Sequence, residues 1–171
     1  MKTPRQDLSQ CCGLPKAGRR TERVADLDRF EADILSVARC FFQTFASPER
    51  QTWVQAFGMA QTLFPGLDGA NLAIGVLNVV QAMRVSRSSV FTFSNPYCAD
   101  CARILSDGER QLTSALYAVR LGHRSTAHIH ALILTEGGET ERLIYALEKL
   151  AALADISADH SPQPPECGNE N

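Results

Sequence analysis

Residues 69–84 read GANLAIGVLNVVQAMR, and a helix with this sequence is apolar on nearly all of its sides. A helix that is apolar all round is normally buried among the other helices of a bundle. A membrane-spanning helix needs about 20 mostly apolar residues. This stretch is shorter, and its apolar run is interrupted by Asn71, Asn78 and Gln81. It therefore predicts the central helix of an all-α bundle rather than a membrane span.

The chain before this central helix has the pattern of two further helices. From Thr21, a suitable N-cap, to Phe45, apolar side chains recur every three or four residues and share one helix face. The tripeptide Ser47–Glu49 is typical of a second helix start, because it offers a capping hydroxyl, a proline at the first helical position and an acid in the first turn. Phe64, followed by proline and glycine, predicts the end of this second helix.

Two helix starts follow the central helix. Asn95 and Pro96 predict a short helix that carries a Cys-x-x-Cys pair. Ser106 and Glu109 have the spacing of a capping box, so a new helix is predicted to begin there. Gly122 is placed as the glycine that ends this helix.

Three other segments complete the predicted bundle. Residues 127–134, AHIHALIL, fit a strand or a helix, and helix is favoured because the neighbouring segments are helical and the loops short. Residues 139–155 have the leucine spacing of a last helix. The serine-rich residues 85–96 are either a short extended segment or a loop whose aromatic side chains cap the bundle, since four residues make no stable sheet alone. The predicted fold is all-α, a single bundle of about five or six helices.

The two ends of the chain carry opposite charge. The 171 residues have 17 Lys and Arg against 19 Asp and Glu, a net charge of −2, which excludes a strongly basic nucleic-acid binder. Residues 1–23 hold six bases and two acids, and residues 155–171 hold four acids and no Lys or Arg. The predicted organisation is a flexible basic tail at 1–20, the helical bundle at 21–155 and a flexible, acidic, proline-containing tail at 156–171.

Cys98 and Cys101 are the strongest chemical candidates in the sequence. Residues three apart lie on nearly the same helix face, and unpaired amides at a helix start favour the thiolate that binds metal or attacks disulfides. The possible cofactor is zinc, but structural zinc usually takes four ligands, and this is the one pair with the right spacing among six cysteines. Two ordinary packed cysteines remain an open alternative. Cys40 is most simply a small core residue.

His128 and His130 are weaker candidates for metal ligands. On a strand the two histidines face the same side and can hold one metal ion. On a helix they lie about 200° apart around the axis and cannot. The helical prediction for this segment therefore argues against a two-histidine site, although one histidine could complete a set with the cysteines.

Motifs that indicate particular enzymes are missing from the sequence. It has no dinucleotide-binding glycine motif, P-loop, nucleophile elbow, zinc-protease motif or EF-hand loop. Arg84 and Arg87 with the nearby serines offer charge and hydroxyls that could meet an anion, although a solvated turn is the favoured interpretation.

These observations favour a non-enzymatic regulatory or adaptor protein that acts through a helical surface, with Cys98 and Cys101 as a metal- or redox-responsive element. One alternative is a thiol-dependent redox enzyme or carrier, in which Cys98 is the nucleophile and Cys101 resolves it. A second is a structural subunit of a larger assembly. The expected partner is another protein or a second copy of the chain, not nucleic acid or a membrane. The polar N-terminus lacks the apolar segment of a secretory leader, so a cytoplasmic location is expected.

Overall fold

The computed structural model describes residues 22–158, and the side chains of residues 22–154. Every regular element in this range is helical, which confirms the predicted all-α class, and the seven α-helices slightly exceed the predicted number. The predicted tail at 1–20, Thr21 and residues 159–171 lie outside the described residues. The helices are α1 (Arg29–Ala46), α2 (Trp53–Leu63), α3 (Gly69–Ser86), α4 (Ala99–Ala102), α5 (Asp107–Arg120), α6 (Arg124–Leu134) and α7 (Glu141–Ala158).

α1 begins later than predicted, because the residues before it pair with another part of the chain. The amide of Val24 donates to the carbonyl of Arg103, at 3.0 Å, and the amide of Leu105 donates to the carbonyl of Glu22, at 3.1 Å. A 3₁₀ turn at Val24–Asp26 follows, and α1 starts only at Arg29. The prediction of one helix continuing from residue 21 was therefore wrong.

α2 also begins later than the sequence signal. The predicted start at Pro48 forms only a 3₁₀ turn, Pro48–Arg50, and the chain then changes direction at Gln51, whose φ is +49°. Thr52 is buried and donates its hydroxyl to the carbonyl of Cys40, at 2.8 Å. This contact fixes the turn against α1, so that α2 starts at Trp53.

α3 is helical, as its sequence predicts, but it is not buried on all sides, because Ile74 and Val85 are 45% and 67% exposed. The Asp68 side chain caps it by accepting hydrogen bonds from the amides of Ala70 and Asn71. It packs against α1, α2 and α7. Gly75 allows the close approach of α7, because a Cβ there would lie 3.2 Å from Leu150 Cδ1. The fully buried side chains of α3 are Leu72, Ala73, Val76, Val80 and Met83.

α5 and α6 form a tightly packed pair at the side of the bundle. The predicted capping box is present: the amide of Glu109 donates to Ser106 Oγ at 3.1 Å, and the amide of Ser106 donates to the Glu109 carboxylate at 2.8 Å. Gly122, with a φ of +70°, makes the turn into α6. Residues 127–134 are helical, as favoured, and Ala127 and Leu134 face the core.

The serine-rich segment after α3 is a loop whose aromatic side chains cover the bundle. The rings of Phe91 and Phe93 lie 4.7 and 5.5 Å from the ring of Phe42 in α1. Of the two structures considered for this segment, the loop is the one observed. Within the described part of the chain, no helix combines the length and apolar character needed to cross a membrane.

Candidate functional site

Cys98 and Cys101 lie at a helix of a single turn. The predicted helix start at Asn95 was wrong: the Asn95 side chain accepts a hydrogen bond from the amide of Tyr97, at 2.9 Å, and this turn delays the helix. Cys98 takes the N-cap position in an extended conformation, and α4 begins at Ala99. Both cysteines are thiols and both are partly exposed. A helix of one turn supplies little of the dipole on which the sequence-based argument for a thiolate depended.

A buried arginine in α1 holds the segment that carries the two cysteines. The Arg39 guanidinium donates to the carbonyls of Ala102 and Ile104, at 2.6 and 2.8 Å, which lie at and just beyond the end of α4. It also forms a bidentate pair with Glu109, at 2.6 and 3.0 Å. The side chains of Arg39 and Glu109 are 4% and 0% exposed. Arg39 therefore ties α4 and α5 to α1 from inside the molecule.

The Glu109 carboxylate completes this buried network. It accepts hydrogen bonds from the amides of Ser94 and Ser106, at 3.1 and 2.8 Å, in addition to those from Arg39. The two ends of the cysteine-bearing segment, residues 94–106, thus meet at one carboxylate. A buried charge is stable only when it is paired and hydrogen-bonded in this way. We refer to Arg39 and Glu109 with their backbone partners as the buried clasp.

The two histidines lie apart, as expected for a helix. His128 Nε2 is 3.8 Å from a carboxylate oxygen of Glu141 in α7, whereas His130 Nδ1 is 2.6 Å from Gln111 Oε1 in α5. Burial, together with the nearby charge of Arg110, lowers the pKa of His130. The two rings therefore face different neighbouring helices and do not form one ligand pair.

The zinc site proposed from the sequence gains no further ligand from the structure. Among the described residues, no group of three or more His, Cys, Asp or Glu side chains is arranged to hold a metal ion. Cys40 is buried in the core, where it contacts the carbonyl of Ser36, and burial raises the pKa of its thiol. Cys11, Cys12 and Cys167 lie outside the described residues. Metal binding by Cys98 and Cys101 stays a prediction.

Arg87 and the two serines after it lie in an exposed turn, as favoured from the sequence, and they bind a carboxylate of the same chain. The Glu136 carboxylate accepts hydrogen bonds from the amides and hydroxyls of Ser88 and Ser89 and from Arg87, with 2.9 Å to the guanidinium. The hydroxyls and amides of Ser89 and Ser88 lower the pKa of Glu136 to about 2. Glu136 itself has a φ of +57°, an uncommon conformation for a residue other than glycine. We call this group the surface clasp.

An aromatic pocket lies beside the surface clasp. It has a volume of about 290 Å³ and opens between the ends of α1 and α3 and the loop that follows α3. Arg84 lines this pocket, and its guanidinium carbon lies over the Phe45 ring, 3.7 Å from the ring centre. The rings and cations that line it are those of Phe42, Phe45, Phe91, Phe93, Arg84 and Arg87.

The outward face of α6 is apolar. Ile129, Leu132 and Ile133 are 60%, 51% and 53% exposed, and their spacing places them on one side of the helix. The opposite side carries Ala127 and Leu134, which are buried in the core. α6 therefore has aliphatic side chains on both faces, and residues 22–158 cover one of them.

Comparison with protein-family models, with curated proteins and with solved structures finds no match for this chain. The function is therefore inferred from the contacts described above.

Sequence reasoning missed the residues that organise these sites. Arg39 had a detectable signal, because it is the one charged residue between Asp33 and Glu49, in a segment that is otherwise mostly apolar. The anion partner of Arg87 had no comparable signal. Glu136 lies 49 residues further along the chain, and only folding brings the two side chains together.

Proposed function

We propose that this protein is a non-enzymatic adaptor or regulatory protein whose interaction surface is the outward face of α6, and that this face packs against α6 of a second copy. The observation that supports the proposal is the exposure of Ile129, Leu132 and Ile133 along one side of the helix. Scattered exposed apolar residues are common on proteins, but contiguous apolar patches usually mark interaction sites. A two-fold dimer buries the same patch on both copies.

The charge at the two ends of α6 favours a second copy as the occupant. Arg124 begins the helix, and its side chain is 67% exposed and 4.0 Å from a carboxylate oxygen of Glu141 in α7. Glu139 follows the end of the helix at an exposed position. Two such helices packed antiparallel bring Arg124 of each copy near the acidic end of the other. The helix is about 16 Å long, so the three aliphatic side chains occupy the middle of the contact. Charge complementarity of this kind fixes the register of an interface.

The proposal is tested by the oligomeric state of the full chain, measured by analytical ultracentrifugation over a range of concentrations. We expect a reversible dimer, and we expect Leu132→Glu to make the protein monomeric while its circular dichroism and Tm stay unchanged. Val54→Glu is the matched control, because Val54 is 54% exposed on α2, and it should leave the dimer intact. A wild-type chain that stays monomeric at all concentrations would contradict the proposal.

A charge exchange tests the antiparallel arrangement separately. Arg124→Glu should weaken the dimer, because it places acids at both ends of the contact. Adding Glu139→Arg to this variant should restore the dimer, since opposite charges then face each other again. If Glu139→Arg fails to restore the dimer while Leu132→Glu is still monomeric, α6 remains the dimer surface and the antiparallel pairing is rejected.

Within this proposal, Cys98 and Cys101 serve as a metal- or redox-responsive element. Their partial exposure and three-residue spacing support it. Native mass spectrometry of the purified full chain, with a count of thiols, tests it against the alternative of a thiol-dependent redox enzyme or carrier. Stoichiometric zinc that is lost in a variant with serine at both positions would support the metal-responsive form and reject the redox alternative. No bound metal, with both thiols as reactive as those of an unstructured peptide, would reject both.

A further inference from the structure

The aromatic pocket combines apolar walls with the guanidinium of Arg84. Its four phenylalanine rings come from α1 and from the loop that α3 leads into. Arg84 stacks on Phe45 and donates to Gln81 Oε1 at 2.7 Å. Among the residues that the structure describes, no Asp or Glu lies within ion-pair distance of Arg84. The pocket therefore offers an exposed guanidinium at the edge of an aromatic surface.

The other arginine of the pocket is already neutralised. Arg87 forms its ion pair with Glu136 and also donates to the carbonyl of Leu134 and to Ser89 Oγ. The serine amides and hydroxyls that could hold a phosphate or sulfate are bound to the same carboxylate. A bare inorganic anion thus finds a single available cation here. A ligand must gain the rest of its affinity from the rings.

We propose that this pocket binds a small aromatic carboxylate, with its carboxylate on Arg84 and its ring against the rings of Phe45, Phe91 and Phe93. A guanidinium matches a carboxylate with two parallel hydrogen bonds. Aromatic rings also attract one another, and the Phe42 ring already packs against those of Phe91 and Phe93 at interplanar angles of 43° and 42°. A volume of about 290 Å³ lies at the small end of ligand pockets and suits a single ring. This inference does not rest on the proposed function, because the pocket shares no residue with the outward face of α6.

The experiment uses the full chain and phenylacetate as the probe, followed by NMR chemical shifts and isothermal titration calorimetry. We expect saturable binding with shifts confined to the pocket. Arg84→Gln should raise the dissociation constant roughly tenfold or more, as expected for the loss of a charge-assisted hydrogen-bonded pair. Arg29→Gln is the matched control, because Arg29 is exposed at the other end of α1, about 24 Å from Phe45 along the helix, and should bind as the wild type does.

Two further probes separate the parts of the proposal. Phenylacetamide keeps the ring without the charge and should bind much more weakly. Hexanoate keeps the charge on an aliphatic chain. It should also bind more weakly, because it has no aromatic ring to pack against the phenylalanine rings. Phe45→Leu should weaken phenylacetate binding while Tm and circular dichroism show an intact fold.

Three results would overturn the proposal: no saturable binding of phenylacetate to the wild type, equal binding to Arg84→Gln, or equal binding of phenylacetamide. Hexanoate binding at least as tightly as phenylacetate would overturn the assignment of an aromatic ligand. Phenylacetate binding should be the same in Leu132→Glu as in the wild type, which keeps this test distinct from that of the α6 surface.

Discussion

Two arginine–glutamate pairs fasten two loops of this molecule, one inside the bundle and one at its surface. In the buried clasp, the side chains of Arg39 and Glu109 are 4% and 0% exposed, and the pair joins α1 to both ends of the cysteine-bearing segment. In the surface clasp, Arg87 and Glu136 are 13% and 27% exposed, and the pair joins the loop after α3 to the end of α6. The chemical groups are the same, and the surroundings differ.

The difference in exposure sets what each pair does for the fold. Removing one partner of a buried pair leaves an uncompensated charge in a medium of low polarity, and here it also leaves backbone carbonyls or amides without their donor or acceptor. At the surface, water and salt replace much of a lost partner. The buried clasp is therefore expected to control global stability, and the surface clasp to control local loop order.

The largest expected effect is that of Glu109→Ala. It should lower the free energy of unfolding by about 3–5 kcal/mol. The reason is that it leaves the buried Arg39 guanidinium without its carboxylate and the amides of Ser94 and Ser106 without their acceptor. Urea denaturation measures this loss. Glu136→Ala is the matched control in the surface clasp and should lower the free energy of unfolding by less. An equal or larger loss in the control would break the comparison between the two pairs.

An intermediate effect, dependent on pH, is expected from Glu136→Gln. Hydrogen bonds from Ser89 and Ser88 hold the pKa of Glu136 at about 2, below its ordinary value of 4.5. As pH falls, the unfolded chain takes up this proton before the folded chain does. The stabilisation from the carboxylate is therefore complete above its unfolded pKa and is lost as pH falls toward 2.

The measurement is Tm of the wild type and of Glu136→Gln between pH 7 and pH 2. The wild type should be more stable at neutral pH, and the gap should close toward pH 2. In a Ser89→Ala background, the Tm gap between the protein with Glu136 and its Glu136→Gln variant should change less with pH. The hydroxyl of Ser89 is the largest cause of the lowered pKa of Glu136. A gap that stays constant over this range would show that the carboxylate charge has no role in the surface clasp.

The smallest expected effect is on thiol reactivity. An alkylating reagent should modify Cys98 and Cys101 in the folded protein and leave buried Cys40, whose pKa is raised by burial, unmodified. Arg39→Lys should speed modification of these two partly exposed thiols by loosening α4, whereas Arg87→Lys should not. Site-specific rates come from mass spectrometry of digests. Equal acceleration by both variants would show that the buried clasp does not specifically hold the cysteine segment.

Local signals predicted the parts of the fold that depend on neighbouring residues. The apolar stretch of α3, the capping box of Ser106 with Glu109 and the turn at Gly122 each depend on side chains within a few positions, and all three are confirmed. The starts of α1 and α2 were predicted wrongly. Val24 pairs with Arg103, and Thr52 binds α1, so contacts distant in sequence move both helix starts.

From the sequence alone, the all-α class could be predicted, and a helix at residues 127–134, once favoured, argued against one ion shared by His128 and His130. The contacts of Arg39 with Glu109 and of Glu136 with the serine loop, and the exposure of the outward face of α6 among the described residues, depend on the packing of helices distant in sequence. The interactions involved act over different ranges along the chain. Helix periodicity and capping act over about four residues, whereas the partner of a charge is chosen by which helices pack together.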